Sequence, residues 1–324
     1  VNRETYNQSL SEFKHSLFIK SEWVESFVNQ DDTGVVYLHF AQNGEVVAKL
    51  AGLVKNEPKL FGRYLYFYAG PGFKNDSEEL YNKCLLALLR FAKRKRFTRL
   101  DIDYKDQQYQ WNCNVKGFYK KSAFNYIRHF NPLEPFKYGK SFRYKVRKAI
   151  NSGAVFYEEN SERILNRLHE LLQESQTLRE KRLGKEYNPY PFPFMDIEST
   201  NRLFNSGYLK LQHVEIDGIV HAVSCALDDG RRMYGLIIAA DEVSYTLNLQ
   251  HFMKFELFTL LQDRGYLYFN VGSTDHPSSG KGLALFKESI GCKHFGVSGV
   301  YTHFLCVPDN AINPVMDFGR FLLR

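Results

Sequence analysis

The segment from residue 233 to residue 291 limits the possible folds of this chain more than any other part of the sequence. It reads as a strand over 233–240, a helix over 247–265, a second strand over 266–272, a polar loop over 273–282 and a short helix over 283–291. The second strand, YLYFNVG, is almost wholly apolar and aromatic, which is typical of a strand covered on both faces. A strand, a helix and a strand of these lengths predict a right-handed crossover between two parallel strands.

The long helix of this segment has one continuous apolar face. Its apolar residues recur at intervals of three and four, at Leu249, Phe252, Met253, Leu257, Leu260 and Leu261. Glu256 falls on the same face, where a carboxylate needs either a structural partner or a chemical role. We therefore consider Glu256 a candidate acid or base, and a buried pair with an Arg or a Tyr is the structural alternative.

The loop after the second strand is the first place to expect chemistry. Ligands of crossover sheets bind beside the loops at the carboxyl ends of the strands, so the segment 273–287 is the predicted site. His276 is a candidate general base, and Asp275 beside it is a candidate substrate contact. Lys281 stands between Gly280 and Gly282 in a loop that could bend around a substrate. The alternative is an ordinary solvated loop.

The order of elements around this segment occurs twice in the sequence. A hairpin with Asn43-Gly44 at its turn, a strand over 63–70, a helix over 77–96 and a strand over 97–103 make the first copy. A hairpin with Asp217-Gly218 at its turn, the strand over 232–240, the helix over 247–265 and the strand over 266–272 make the second. We therefore predict two copies of one β-β-β-α-β unit, in domains spanning 1–135 and 136–324.

Composition and charge exclude several classes of protein. The net charge of +7 over 324 residues permits an anionic partner without requiring one. The cysteines are far apart and lack metal-ligand spacing, so we expect no bound metal and a reducing compartment; they are Cys84, Cys113, Cys225, Cys292 and Cys306. The first residues lack the apolar core of a signal peptide, and no run reaches the roughly 18–20 apolar residues of a membrane span. We therefore expect a cytoplasmic protein without a membrane span.

Two motifs resemble the FemABX family, which contains the peptidoglycan-bridge aminoacyltransferases. The basic helix from Ser141 to Gly153 reads S-x-x-R-x-x-x-R-K-A-x-x-x-G, which is similar to the start of the second domain in that family. The segment GLALFKESIGC at 282–292 resembles its G-L-x-x-F-K-x-x-x-G signature. The resemblance covers about residues 20–306. It implies an α/β (α+β) fold of two tandem GNAT-like domains, each a mixed sheet flanked by helices.

The resemblance also implies a reaction and some of its residues. The expected reaction transfers an acyl or aminoacyl group to an amine, without a covalent enzyme intermediate. Lys287 matches the lysine of the F-K pair, for which we expect a catalytic role, and Phe286 matches its partner, expected to contact substrate. The acceptor is expected to be a small amino compound, with a cell-wall precursor as one candidate.

The donor and the bound groups stay open at this point. The glycine-rich phosphate loop of CoA-using GNAT enzymes is missing, since its position reads AADEVSYTLN at 239–248. The candidate donors are acyl-CoA, aminoacyl-tRNA and an acyl-carrier protein. We expect no bound cofactor, and the sequence does not predict the oligomeric state.

Two further segments could contact a substrate. The helix 141–153 has its apolar face at Phe142, Val146, Ala149 and Ile150. Its opposite face carries the candidate anion contacts Arg143, Arg147 and Lys148, for which a solvated surface is an equally good interpretation. The segment YNPYPFPF at 187–194 is a proline-rich loop whose Tyr190 is a candidate stacking residue, although packing is favoured over stacking.

Other classes of function fit some of these features. A catalytically inactive GNAT-fold ligand-binding protein would show the same groove, aromatic residues and basic rim. A nucleic-acid-binding protein would use the basic helix, but no dedicated nucleic-acid motif accompanies it. An acyltransferase is the predicted function that accounts for both family-like motifs.

Overall fold

The computed structural model describes residues 1–28, 32–56, 62–134, 136–274, 281–307 and 309–322. The chain divides into two compact units, one formed by residues 1–123 with 296–324 and the other by residues 124–295. This division differs from the predicted domains, because the C-terminal residues group with the first unit. None of the helices in the described ranges is long and apolar enough to cross a membrane.

The first third of the chain consists of short helices followed by a hairpin, a long helix and short strands. Its helices and strands are α1 (Arg3–Asn7), α2 (Ser21–Glu25), β1 (Thr33–Gln42), β2 (Glu45–Asn56), β3 (Arg63–Phe67), β4 (Gly72–Phe73), α3 (Glu78–Arg94) and β5 (Leu100–Ile102). Two 3₁₀ turns, Leu10–Glu12 and Leu17–Ile19, precede α2.

The rest of the chain alternates helices and strands. Its elements are β6 (Phe118–His129), α4 (Lys140–Asn151), β7 (Val155–Glu158), α5 (Glu162–Leu183), α6 (Ile197–Asn205), β8 (Leu209–Ile216), β9 (Ile219–Asp228), β10 (Arg232–Ala240), α7 (Glu242–Leu247), α8 (Leu249–Asp263), β11 (Tyr268–Thr274), α9 (Lys281–Ser289), β12 (Lys293–Thr302) and α10 (Asn313–Leu322). A 3₁₀ turn, Asp309–Ile312, precedes α10.

The strands of the first unit form a mixed sheet. β1, β2 and β3 pair antiparallel in that order, β3 pairs parallel with β5, and β5 pairs antiparallel with β12. The predicted Asn43-Gly44 turn is confirmed, with φ of 52° and 86° at the two residues. Both φ angles are positive, as a two-residue hairpin turn of this type requires.

The strands of the second unit have the same order of directions. β7, β8, β9 and β10 pair antiparallel in turn, β10 pairs parallel with β11, and β11 pairs antiparallel with β6. The Asp217-Gly218 turn is confirmed, with φ of 50° and 78°. Each unit therefore contains the predicted β-β-β-α-β order, with the helix between two parallel strands.

One short helix beside the crossover was not predicted. The helix predicted over 247–265 is α8 (Leu249–Asp263), and α7 precedes it, separated from it by Asn248 with a left-handed φ of 62°. Asn tolerates that conformation better than most residues do, so the chain can turn there. The prediction had no strand at the positions of β6, β7 and β12.

The α8 helix covers one face of the second unit's sheet. Leu249, Met253, Leu257, Phe258 and Leu261 are completely buried there. Apolar side chains of α4 join the same core at Phe142, Val146 and Ala149. Ile150, predicted to face inward, is 51% exposed. The crossover helix therefore shares one core with α4 and the sheet of the second unit.

Candidate functional site

The parallel strands β10 and β11 are paired only over a short length. Their pairing covers residues 232–234 against 268–270, although β10 continues to Ala240 and β11 to Thr274. Just beyond that point β10 has an irregular register with β9, between Gly235 and Ile237, and β11 has one with β6 between Asn270 and Ser273. The carboxyl ends of the two strands therefore lie at a split in the sheet.

Gly272 marks the position where side chains approach the split. Its φ is 84°, and its amide donates to the Asn270 Oδ1 atom at 2.9 Å. A Cβ atom on Gly272 would lie 3.3 Å from the Tyr234 hydroxyl and 4.0 Å from the Lys287 Nζ atom. A hydroxyl from β10 and an ammonium from α9 thus approach one point on β11.

Lys287 is held at the split by backbone carbonyls. The residue is 5% exposed, and its Nζ donates to the carbonyl oxygens of Gly272 at 3.2 Å and Ser273 at 3.4 Å. The same Nζ lies 5.0 Å from the ring centroid of Tyr126. A positive charge fixed in a site of low polarity is suited to stabilising negative charge that develops on a bound substrate.

The neighbouring Phe286 packs against a buried histidine of α8. Its ring meets His251 edge to face, with the ring centroids 4.9 Å apart. The Lys145 Nζ lies 3.1 Å from the His251 Nε2 atom. Burial, followed by the Lys145 charge, lowers the pKa of His251 to about 4. His251 is therefore neutral at pH 7 and accepts the Lys145 hydrogen bond, and Phe286 holds α9 against α8.

The basic helix α4 is tied to the α7–α8 region by its lysines. Besides the Lys145 contact, the Lys148 Nζ donates to the Thr246 carbonyl at 2.9 Å. Arg143 and Arg147 are exposed. The structure thus leaves the predicted anion contacts Arg143 and Arg147 on the surface, whereas Lys148 already has a backbone partner.

Glu256 is half-buried on α8. Burial raises the pKa of its carboxyl above the ordinary value. It forms no hydrogen bond or ion pair within the described ranges, so the expected pair with an Arg or a Tyr is not found there. Its role as an acid or base stays a prediction.

Tyr190 is part of a hydrogen-bonded chain on the outer helices. Its hydroxyl lies 3.1 Å from the His169 Nδ1 atom, and the His169 Nε2 lies 2.9 Å from the Asn201 Oδ1 atom. Burial raises the pKa of Tyr190 to about 12. In the same loop, Phe192 is buried with its ring centroid 6.1 Å from that of Tyr234. The proline-rich loop therefore supports the Tyr234 side of the split through Phe192, while Tyr190 anchors the loop to α5.

Three predicted site residues cannot be placed. Asp275 and His276 lie outside the described residues. The backbone of Lys281 begins α9, but its side chain is outside the described set. Their proposed roles remain predictions from the sequence.

Lys254 is a buried cation that the sequence analysis missed. It is 2% exposed, and its Nζ lies 4.4 Å from the ring centroid of Phe269. Burial lowers its pKa to about 8. The thiol of Cys292 has its pKa raised to about 12 by burial, against the opposing charges of Arg128, Lys254 and Lys287. In the sequence, the one indication that this lysine is buried is its position within the apolar run of α8.

The corresponding strands of the first unit stay joined at their carboxyl ends. Beyond the β3–β5 pairing, the amide of Asp103 donates to the Phe67 carbonyl at 2.7 Å and that of Lys105 to the Tyr68 carbonyl at 2.9 Å. Gly70 is also covered, because a Cβ atom there would lie 2.3 Å from the Tyr109 hydroxyl. The split with a buried lysine therefore belongs to the second unit.

Comparison with known families agrees with this location. Residues 137–277 match the family model of an acetyltransferase (GNAT) domain. Residues 137–277 are thus similar to a GNAT domain. The matched region includes β8 to β11 and ends just before α9, so it contains the split strands. Comparison with curated protein sequences finds no match.

Solved structures share the fold over most of the chain. FemX superposes with a TM-score of 0.69 at 15% identity, covering 93% of this chain and 96% of FemX. A conserved protein of unknown function from Bacteroides thetaiotaomicron gives 0.61 at 11% identity, covering 94% and 98%. L-PGS from Bacillus licheniformis gives 0.58 at 16% identity, covering 93% and 92%. The predicted resemblance to FemABX-like, GNAT-type proteins is confirmed, and at these identities the likeness to each structure shows the fold.

Proposed function

We propose that this chain is an N-acyltransferase of FemABX-like type, which transfers an acyl or aminoacyl group to an amine. The observation that carries the proposal is the buried Lys287 Nζ at the split between β10 and β11. That lysine also occupies the F-K position of the family-like motif, so the motif and the burial of its Nζ both support the proposal. The GNAT domain supports acyl transfer as the general reaction.

The proposed reaction needs little covalent chemistry from the protein. The acceptor nitrogen forms a bond to the acyl carbon, the carbonyl electrons move onto oxygen, and the bond from carbon to the donor sulfur or oxygen then breaks. The amine loses one proton, and the departing group gains one. The Lys287 ammonium is placed to stabilise the oxyanion, and electrostatic stabilisation of this kind is usually the largest single contribution to catalysis. Glu256 and His276 are the proposed proton acceptors.

The start of α7 bears on the choice of donor. Asp241 caps this helix, its side chain accepting from the Ser244 amide at 2.9 Å, and its other oxygen lies 2.7 Å from the His221 Nδ1 atom. A carboxylate therefore occupies the place after β10 where a glycine-rich loop would present amides to a pyrophosphate. This favours aminoacyl-tRNA over acyl-CoA as the proposed donor. The proposed acceptor is a small amino compound such as a cell-wall precursor, as the FemABX-like resemblance implies.

The test is a transfer assay on the full chain with matched variants. Acyl-CoA esters and aminoacyl-tRNAs are supplied in separate arms with a panel of amine acceptors, including UDP-muropeptides. We expect Lys287→Met to lower kcat/KM by about 10²–10³-fold, the usual cost of losing one oxyanion donor. Glu288→Gln, an exposed position on the same helix, is the control and should keep full activity.

The outcomes separate the two classes of function that the fold permits. Turnover that depends on Lys287 supports the transferase. Thermal stabilisation by a donor or acceptor without turnover in any arm would identify a ligand-binding protein that has kept the GNAT fold. Equal activity in Lys287→Met and the unaltered chain would refute the proposed role of Lys287.

A further inference from the structure

A cavity lies beside the first residues of β11, away from the Lys287 contacts at Gly272 and Ser273. It has a volume of about 600 Å³ and is bordered by the end of β6, the end of α8, the start of β12 and the side chains of Asn131, Glu134, Phe136 and Lys137. Its β6 residues pair with the first residues of β11, at 268–270, whereas Lys287 contacts Gly272 and Ser273. A cavity of this volume is in the usual range for small-molecule sites. It is therefore a separate candidate site within the second unit.

The charged residues around this cavity are mainly basic. Arg128, Lys137 and Lys293 line it together with a single carboxylate, Glu134. His129 also lines the cavity. Burial and the charge of Lys293 lower the pKa of His129, so its imidazole is neutral at pH 7 and adds no charge. Three cations and one anion leave a net charge of +2 at the cavity. A ligand of complementary charge is a dianion.

Arg128 is fixed in place by the protein but not fully hydrogen-bonded. Its Nη1 donates to the Gly291 carbonyl at 3.0 Å, and its guanidinium lies 4.3 Å from the ring centroid of Phe136. Its Nε is buried and has no hydrogen-bond partner within the described ranges. The Oε1 of Gln262, at the end of α8, is also buried and lacks a partner among the described residues. Each such atom costs roughly 1–3 kcal/mol unless a further group completes its hydrogen bonding.

We infer that this cavity binds a small organic molecule carrying a phosphomonoester group. A phosphomonoester has a charge of about −1.5 to −2 at pH 7, which matches the net charge of the cavity, while a single carboxylate would leave one positive charge unbalanced. The planar Arg128 fork suits phosphate geometry, and Lys137 and Lys293 add charge from two other elements. The cavity is larger than a bare phosphate needs, so the ligand has an organic part.

The test measures binding of a defined probe by the full chain. Glycerol 3-phosphate is titrated into the protein by calorimetry at constant ionic strength, with inorganic phosphate and glycerol as comparison probes. We expect binding of glycerol 3-phosphate in preference to glycerol. We expect Lys137→Met and Lys293→Met each to weaken it by about tenfold, roughly the effect of losing one hydrogen bond to a charged group. Both lysines are exposed, so neither change threatens folding.

Matched controls distinguish a built site from general attraction to a basic surface. Lys140→Met removes an exposed charge outside the cavity and should leave the affinity unchanged. Equal weakening by Lys140→Met, or no binding of glycerol 3-phosphate above the glycerol comparison, would overturn the inference. Binding to phosphatidylcholine vesicles that contain phosphatidic acid, without binding of glycerol 3-phosphate, would overturn a small-molecule ligand in favour of a lipid headgroup. Lys287→Met should bind the probe normally, so this result does not depend on the proposed transferase activity.

Discussion

Replacement of Gly272 by alanine tests the geometry of the split directly. Two costs are expected to add at this position. Alanine at a φ of 84° is strained by roughly 1–2 kcal/mol, because its Cβ crowds the carbonyl oxygen in left-handed backbone. The new methyl group would also lie 3.3 Å from the Tyr234 hydroxyl, which forces a buried side chain to shift and costs about 1 kcal/mol more. We expect Gly272→Ala to lower the free energy of unfolding by about 2–3 kcal/mol.

Gly218 provides a matched control for the backbone contribution. It has a similar φ of 78° in the same unit, and nothing lies within 4 Å of its Cβ position. Gly218→Ala therefore carries only the strain, about 1–2 kcal/mol. Chemical denaturation of both variants, followed by a probe in the second unit, gives the difference due to the Tyr234 contact. For a unit of this size, each kcal/mol corresponds to a melting-temperature change of about 2–4 °C.

A double-mutant cycle with Tyr234→Phe identifies the crowding atom. Removal of the hydroxyl should make Gly272→Ala less costly by about 1 kcal/mol, which is within the range of coupling between residues in contact. The same cycle made with Gly218→Ala should show no coupling. If Gly272→Ala costs no more than Gly218→Ala, or if the cycle shows no coupling, Tyr234 and Gly272 do not meet as the structure has them.

Three further predictions concern the helices around the split. The pKa of Lys254 is about 8 in the folded protein and 10.5 ordinarily, so the unfolded chain binds more protons between these pH values. The free energy of unfolding should therefore rise by up to about 3 kcal/mol between pH 8 and 10.5. Lys254→Met should abolish that rise in denaturation measured across this pH range. The pKa of His251 is about 4 in the folded protein and 6.5 ordinarily, so the unfolded chain is protonated first as the pH falls. The free energy of unfolding should therefore decrease by about 3 kcal/mol between pH 6.5 and pH 4. His251→Gln should reduce this decrease. Asn248→Ala should lower the melting temperature through a left-handed strain of roughly 1–2 kcal/mol, whereas Asn248→Gly should leave it nearly unchanged.

The sequence predicts the hairpins and the crossover because their signals are local. Asn43-Gly44 and Asp217-Gly218 determine turn geometry within two residues, and the apolar spacing of α8 identifies its buried side. The helix α7 was missed because its six residues are too few to show an apolar period, and only the backbone conformation of Asn248 separates it from α8. β6 and β12 were missed because long-range pairing, rather than local pattern, defines them as strands.

The candidate site could be predicted only in part for the same reason. Lys287 was found through its motif, but Tyr234 and Gly272 carry no local signal of a site, because they meet only when β10 and β11 lie side by side. Lys254 is a charged residue that occupies a core position. In the sequence its burial is visible only because a lysine interrupts an apolar run. The partners of Tyr190 and Lys148 likewise depend on the packing of α5 and of α7.

The hydrogen bonds that close the first unit's strands have a consequence for ligand stoichiometry. The β-β-β-α-β unit is present twice. In the first unit the amides of Asp103 and Lys105 and the Tyr109 side chain close the carboxyl ends of the strands, whereas the β10–β11 pairing among the described residues stops at Tyr234 and Asn270. Occupancy should therefore saturate at one acyl donor per polypeptide, and a titration that gave two equivalents would mean that the first unit opens in solution.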